Sequence, residues 1–368
     1  MPDNSSRRHW LKTTATVLTG LSIAPSLFAT EREKYRAAGI ILLNSNENAY
    51  GPSPMAKKAI LESYTKSNRY PDDYITPLKK KIAGHWNVGT ENILLGAGSS
   101  EIIGLSAIHV SANKGHILVG DPAYKVWNKQ AENFGLSINR ISLNQNRVHD
   151  LDKMLSSITD ETSMVYICNP NNPTGTVNKV DELRDFAKEA AKKTFVFIDE
   201  AYTEYAGLLS LADLTVSNKN ILVAKTFSKI YGLAGARVGY AIAHPDTINS
   251  ISNYQPWPDA AVSVVSAVAA MASLDDLLFV QSCKENAAKA REICNSAFTD
   301  LKLDYIPSQT NFILFNIDKI KGDFTTQMQA KNIYVQFREH FGGKWCRVSM
   351  GTIEEMQEFA KALKEIAS

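Results

Sequence analysis

Short apolar runs alternate with stretches of helical period along most of this chain. The apolar runs predict strands at Ile93–Leu95, Ile117–Val119, Met164–Ile167, Phe195–Ile198, Ile221–Ala224 and Val238–Ala243. Between them, apolar residues recur every three or four positions over Met55–Lys66, Ile75–Trp86, Ile102–Ala112, Lys125–Phe134, Asp181–Lys192 and Asp259–Ala272, which predicts helices. Strands separated by helices imply an α/β fold, with a mostly parallel sheet covered on both faces. In such sheets ligands collect at the carboxyl ends of the strands. Past Leu274 the pattern changes. A long helical stretch to about Leu301 leads into strand-like runs at Asn311–Phe315, Ile333–Val335 and Trp345–Ser349, and a helix is expected over Ile353–Ile366.

Composition narrows the partners. At 368 residues, 44% hydrophobic and 21% charged, the chain can fill two cores of ordinary size. Within residues 1–29, Arg7, Arg8 and Lys12 stand against Asp3 alone, so the remainder is balanced in charge. A neutral body gives no reason to expect nucleic acid or anionic lipid as partner. Cys283 and Cys294 share one helical pattern and lie roughly 16 Å apart, too far for a disulfide. Cys168 ends a strand, Cys346 sits beside Arg347, and no spacing resembles a metal site.

Chemistry concentrates where the apolar strands stop. Thr226-Phe-Ser-Lys-Ile-Tyr-Gly-Leu-Ala-Gly-Ala-Arg-Val-Gly239 sets Lys229 among small hydroxyl residues and places Arg237 eight positions on. An amine there can form an imine with an aldehyde cofactor. Thr226, Ser228 and Arg237 offer the donors and charge that a phosphate requires. Gly96-Ala-Gly-Ser-Ser-Glu101 joins a strand to a helical pattern, so the free N–H groups of Ser99 and Ser100 form an anion seat. Asn169-Pro-Asn-Asn-Pro-Thr-Gly175 follows one strand as a polar loop, and Asp199 closes another. Taken singly, each has a plain reading as a turn or a helix cap.

Together these segments resemble the pyridoxal-phosphate enzymes of the aspartate-aminotransferase fold, in the order that family has them. The stretches Leu43-Asn-Ser-Asn-Glu-Asn-Ala-Tyr-Gly-Pro-Ser-Pro54 and Asn68-Arg-Tyr-Pro-Asp72 are most similar to the histidinol-phosphate aminotransferases within it. The resemblance runs from about Ile40 to the C-terminus. It implies transfer of an amino group between a small amino donor and a 2-oxo acid, with pyridoxal 5′-phosphate held as an imine on Lys229. Lys229 would also shuttle the proton. Asp199 would keep the pyridine nitrogen protonated, Tyr202 and Asn172 would bond the ring's phenolic oxygen, and Tyr124 would stack on the ring. Ser99, Ser100, Thr226, Ser228 and Arg237 would seat the phosphate. Tyr70 would reach that phosphate from the partner subunit of a homodimer. Arg347 would clamp the substrate carboxylate and Asn311 would line the substrate pocket. The resemblance also implies a large cofactor-binding domain over 68–273 and a smaller α+β domain built from 31–67 and 274–368. A decarboxylase or lyase on the same fold would keep the same site, and a cofactor-binding protein without activity fits these residues least.

One position departs from the family pattern. Where relatives acting on histidinol phosphate carry a phosphate-gripping arginine, this chain has Gln336, and Arg338 lies two residues on along the same strand face, about 7 Å away. Either Arg338 replaces the missing arginine, or the substrate carries no phosphate. The N-terminus adds a separate expectation. Ser6-Arg-Arg-His-Trp-Leu-Lys12 before a weakly apolar stretch to Ala29 resembles a twin-arginine signal over 1–30. That implies delivery to the periplasm by the twin-arginine export machinery, with a cytoplasmic protein or an uncleaved membrane anchor as alternatives. The stretch is too short and too rich in Thr, Ser and Gly for a stable membrane span.

Overall fold

The apolar runs find one another in a single sheet, because strands buried on both faces can satisfy their backbone groups only by pairing. The computed structural model describes residues 38–112, 115–259 and 261–367, so the signal expected over 1–30 lies outside the described residues. The described chain opens with β1 (Ile41–Leu42). The large sheet follows: β2 (Ile93–Gly96), β3 (His116–Asp121), β4 (Ser137–Ser142), β5 (Thr162–Cys168), β6 (Phe195–Asp199), β7 (Ile221–Thr226) and β8 (Gly239–Ala243). Its strand order is β2-β8-β7-β6-β5-β3-β4. Only β8 runs against the rest, pairing antiparallel with both β7 and β2. The sheet is therefore mostly parallel, as the alternation predicts.

Helices cover both faces. Leu78, Ile82, Leu183 and Phe186 pack on one face, and Ile102, Ile103 and Trp127 on the other. Elements that depart from the sequence pattern include an edge strand and two helices. Strand β4, Ser-Ile-Asn-Arg-Ile-Ser, is an edge strand with a single neighbour and only two apolar residues, so no run announces it. The helix Pro245–Ser252 is short and was not expected. The helix expected from Asp259 begins at Val264. Asp259 adopts φ 63°, and its carboxylate accepts from the Leu95 N–H at 2.7 Å and from Lys79 Nζ at 2.9 Å.

A second sheet, ordered β12-β13-β10-β9, is antiparallel throughout: β9 (Tyr305–Ile306), β10 (Phe312–Asn316), β12 (Gln336–His340) and β13 (Gly343–Ser349). β11 (Ile333–Tyr334) pairs instead with β1, which joins the start of the chain to this smaller unit. The expected 31–67 contribution is divided. β1 and Leu43 belong to the small core, but the helix Pro54–Ser63 packs on Val264–Asp275, and its Ala56 lies in the large core. Ser53 caps that helix, accepting from the Ala56 N–H at 3.1 Å, and turns the chain from one unit to the other. The helix Leu277–Asp300 bridges them too, with Cys283 and Ala287 in the large core and Cys294 and Phe298 in the small one. All four cysteines are buried and free. Among the described residues no single helix is long and apolar enough to cross a membrane.

The small core is centred on Phe315, which stacks on Phe298 at 4.4 Å and meets Phe324 and Phe359 edge-on. Phe315→Ala is expected to lower unfolding stability by about 3–5 kcal/mol. A shift of the urea midpoint at constant slope would show it.

Candidate active site

Five strands of the large sheet end along one edge, and the predicted residues leave from those ends. Ser99 and Ser100 follow β2, Tyr124 follows β3, Asn172 follows β5, Asp199 ends β6, and Thr226 ends β7. With Tyr202, Ser228, Lys229, Arg237 and Arg347 they line one cavity of about 550 Å³. That is within the range of ordinary small-molecule sites.

One end of the cavity is built for an anion. The helix Ser99–Ser111 starts there, directing free N–H groups and the positive end of its dipole inward. Thr226 Oγ1 donates to Ser228 Oγ at 2.9 Å and accepts from the Ser228 N–H at 3.1 Å. Arg237 is held by the Ala97 and Ala234 carbonyls, both at 3.0 Å, and reaches Ser228 Oγ at 3.5 Å. Two glycines permit this approach. Gly98 has φ +78°, and a Cβ there would meet Arg237 Nη2 at 2.5 Å; a Cβ on Gly239 would meet the Ser99 nitrogen at 2.6 Å.

The deep wall holds a carboxylate and a phenol. Asp199 is buried and accepts from Tyr166 Oη at 2.9 Å and from the Ala201 N–H at 3.1 Å. Burial raises its pKa, and these two donors and the Lys229 amine act the other way. Tyr202 Oη accepts from Asn46 Nδ2 at 3.1 Å and Asn172 Nδ2 at 3.3 Å, while burial pushes its pKa up. Between them stands Lys229, whose Nζ reaches the Asn46 carbonyl at 3.5 Å. Burial first, then the Arg347 guanidinium, pull the Lys229 pKa down to about 8. Glu47 and Asp199 oppose that shift, and Arg237 adds to it.

Arg347 enters from β13 of the small unit. It is 7% exposed, with Nη1 donating to Asn172 Oδ1 at 2.7 Å and Nη2 to Gln336 Oε1. Nη2 also approaches the Asn44 carbonyl at 3.4 Å. Its Nε is buried with no hydrogen-bond partner. Burial draws its pKa down to about 10, so the guanidinium stays charged at neutral pH.

Two predicted residues stand outside this cavity. Asn311 lies behind the wall, donating to the carbonyls of Asn46 at 3.0 Å and Glu47 at 3.2 Å; it shapes the pocket at one remove instead of lining it. Tyr70 is 74% exposed and packs on Trp257, with ring centroids 5.1 Å apart. Sequence reasoning passed over Tyr166 and Asn46. The first gave one signal, a phenol inside an otherwise apolar strand in register beside β6. Asn46 gave another, a polar residue suited to its left-handed φ of 53°.

Residues 38–363 match the family model described as aminotransferase class I and II. A histidinol-phosphate aminotransferase of Caldicellulosiruptor saccharolyticus is 37% identical over 89% of this chain and 92% of its own length. The solved histidinol-phosphate aminotransferase of Sinorhizobium meliloti, in complex with pyridoxal-5′-phosphate, superposes with a TM-score of 0.82 at 25% identity, covering 92% of this chain and 95% of that one. L-Threonine-O-3-phosphate decarboxylase of Porphyromonas gingivalis shares the fold, with a TM-score of 0.77 at 18% identity over 89% of this chain and 99% of that one. The donor set suits pyridoxal phosphate: an anion seat at one end, a buried carboxylate for a ring nitrogen, a hydrogen-bonded phenol, and a lysine between them.

Because only the free amine attacks an aldehyde, a lowered pKa enlarges the reactive fraction at neutral pH. Cofactor-free protein should take up pyridoxal phosphate at a rate that rises with pH to a midpoint near 8. An unperturbed lysine would place that midpoint about two units higher. Stopped-flow absorbance across pH 6–11 (roughly the span of both values) separates the two.

Proposed function

The chain belongs to the class I and II aminotransferases, and from that premise we propose that its amino donor carries a free carboxylate and no phosphate. The pyridoxal phosphate on which this family depends supplies, when bound, a ring that accepts the electron pair released at the substrate carbon. Lys229 contributes an amine whose lowered pKa lets it take a proton from that carbon and return it to the cofactor. Asp199, held by Tyr166, keeps a proton on the ring nitrogen. Tyr202, with Asn46 and Asn172 on its hydroxyl, orients the other side of the ring.

The contact between Gln336 and Arg347 carries the substrate reading. Gln336 Oε1 accepts from Nη2 and Asn172 Oδ1 from Nη1, which fixes the guanidinium at the cavity wall and leaves Nη1 a second N–H. One cation so placed suits a single carboxylate. A phosphate dianion would find a neutral amide where a second positive group would be needed. Arg338, two residues on along the same face of β12, also lines the cavity, with Nη1 donating to the adjacent Phe337 carbonyl at 2.9 Å. The relatives named for histidinol phosphate therefore share the reaction with this chain more than the donor.

Two further parts of the reading rest on sequence. The exposed Tyr70 reaches the phosphate seat of a second copy, so that a homodimer completes each site. Residues 1–30 act as a twin-arginine signal that sends the folded enzyme to the periplasm. A reporter fused to residues 1–35 should be exported, and Arg7→Lys with Arg8→Lys should abolish export; equal export of both would remove this part.

A half-reaction screen tests the donor. Amino acids should convert the bound cofactor to its amine form and leave 2-oxo acids without carbon dioxide, while histidinol phosphate reacts slowly. Gln336→Arg should lower KM for histidinol phosphate by about tenfold to a hundredfold, the worth of one charge-assisted bond. Fast reaction of histidinol phosphate with the wild type, or no gain in the variant, would contradict the proposal.

A further inference from the structure

Behind the cavity lies a group of charges that the reaction does not use. Lys225, on β7, is 2% exposed. Its Nζ lies 3.0 Å from Glu200 Oε2 and 3.0 Å from Glu204 Oε1, and 4.2 Å from the centroid of the Trp86 ring. Glu200 is itself fully engaged: Oε2 accepts from Ser210 Oγ at 2.6 Å and Oε1 from the Leu211 N–H at 2.8 Å. Trp86 Nε1 in turn donates to Tyr240 Oη at 2.7 Å, and Tyr240 is the β8 residue paired with Lys225.

The position of this cluster along the chain is informative. The ladder between β6 and β7 ends at the pair Asp199 and Ala224, and one more backbone bond, Glu200 N–H to the Ala224 carbonyl at 2.9 Å, follows. Beyond that the two segments separate. One carries Asp199 and Tyr202, with Glu200 between them and Glu204 just beyond. The other carries Thr226, Ser228 and Lys229, immediately after Lys225. We propose that Lys225 is a positioning residue that ties these two segments together, fixing the spacing between the ring-binding pair, Asp199 and Tyr202, and the lysine and phosphate seat. The ladder holds Asp199 against Ala224 but ends there, and Lys225 extends the tie from the next position of β7, against Trp86 and beside Tyr240. Burial works against the charge on Lys225, but Glu204 and Glu200 outweigh it and hold the ammonium protonated. Ionic contacts in so dry a place keep their geometry closely.

The inference rests on the family's use of pyridoxal phosphate and is independent of the donor. Lys225→Met alone strands the buried Glu200 and half-buried Glu204 carboxylates and is expected to melt early, so the informative protein is Lys225→Met with Glu200→Gln and Glu204→Gln. Removing all three charges spares the fold the unpaired ions. In its cofactor-free form this variant should melt within a few degrees of the wild type. Its holoenzyme should show a displaced pH midpoint for the visible absorbance of the bound cofactor. It should also show kcat reduced about tenfold or more while the donor KM stays within about threefold. A well-folded variant with the wild-type spectral midpoint and kcat would overturn the proposal. So would losses in the single variant that follow its melting temperature and vanish at lower temperature.

Discussion

An ammonium taken out of water beside two guanidinium groups cannot hold its proton as it would in solvent, and Lys229 is kept in that setting by both units of the protein. Arg237 comes from the large unit and Arg347 from the small one. Asp199 and Glu47 set a limit to the shift, so the amine titrates close to working pH and remains useful as both nucleophile and base. The rest of the architecture serves that arrangement. A mostly parallel sheet ends its strands along one edge, a helix N-terminus with two close-packed glycines offers an anion seat, and the antiparallel sheet brings Arg347 to the cavity wall.

Asn46 shows how closely the units are joined there. Its N–H donates to Ser349 Oγ at 2.8 Å, its amide reaches Tyr202, and its carbonyl takes Asn311 and Lys229. A residue between β1 and the helix Pro54–Ser63 thus touches the small sheet, the ring-binding phenol and the reactive lysine together. The same economy appears at Gln336, which engages Arg347 through a neutral amide.

Much of this was legible in the chain because the informative residues sit at strand ends, and strand ends are where apolar runs stop. Lys229, Asp199, Thr226 and Asn172 were readable for that reason. The strip β4 was not, since an edge strand paired on one side needs few apolar residues. The division of the first segment between two cores was also hidden. Ala56 carries no mark of which core buries it, and only the direction of the Ser53-capped turn decides. Tyr166 and Lys225 were missed for a related reason. Each is a polar tip on a strand residue, and its partner lies on a neighbouring strand or loop whose register one chain's pattern cannot supply. Asn311 was placed in the right neighbourhood but one layer too near the cavity, a difference set by where the Asn46–Glu47 backbone passes.

The central claim is that the cofactor aldehyde is carried by one amine. Holoenzyme reduced with borohydride, digested and mapped by mass spectrometry tests it most directly. The account predicts a single pyridoxyl-bearing peptide, modified at Lys229 and nowhere else in stoichiometric amount. Stoichiometric label on another lysine, with Lys229 unmodified, would contradict it.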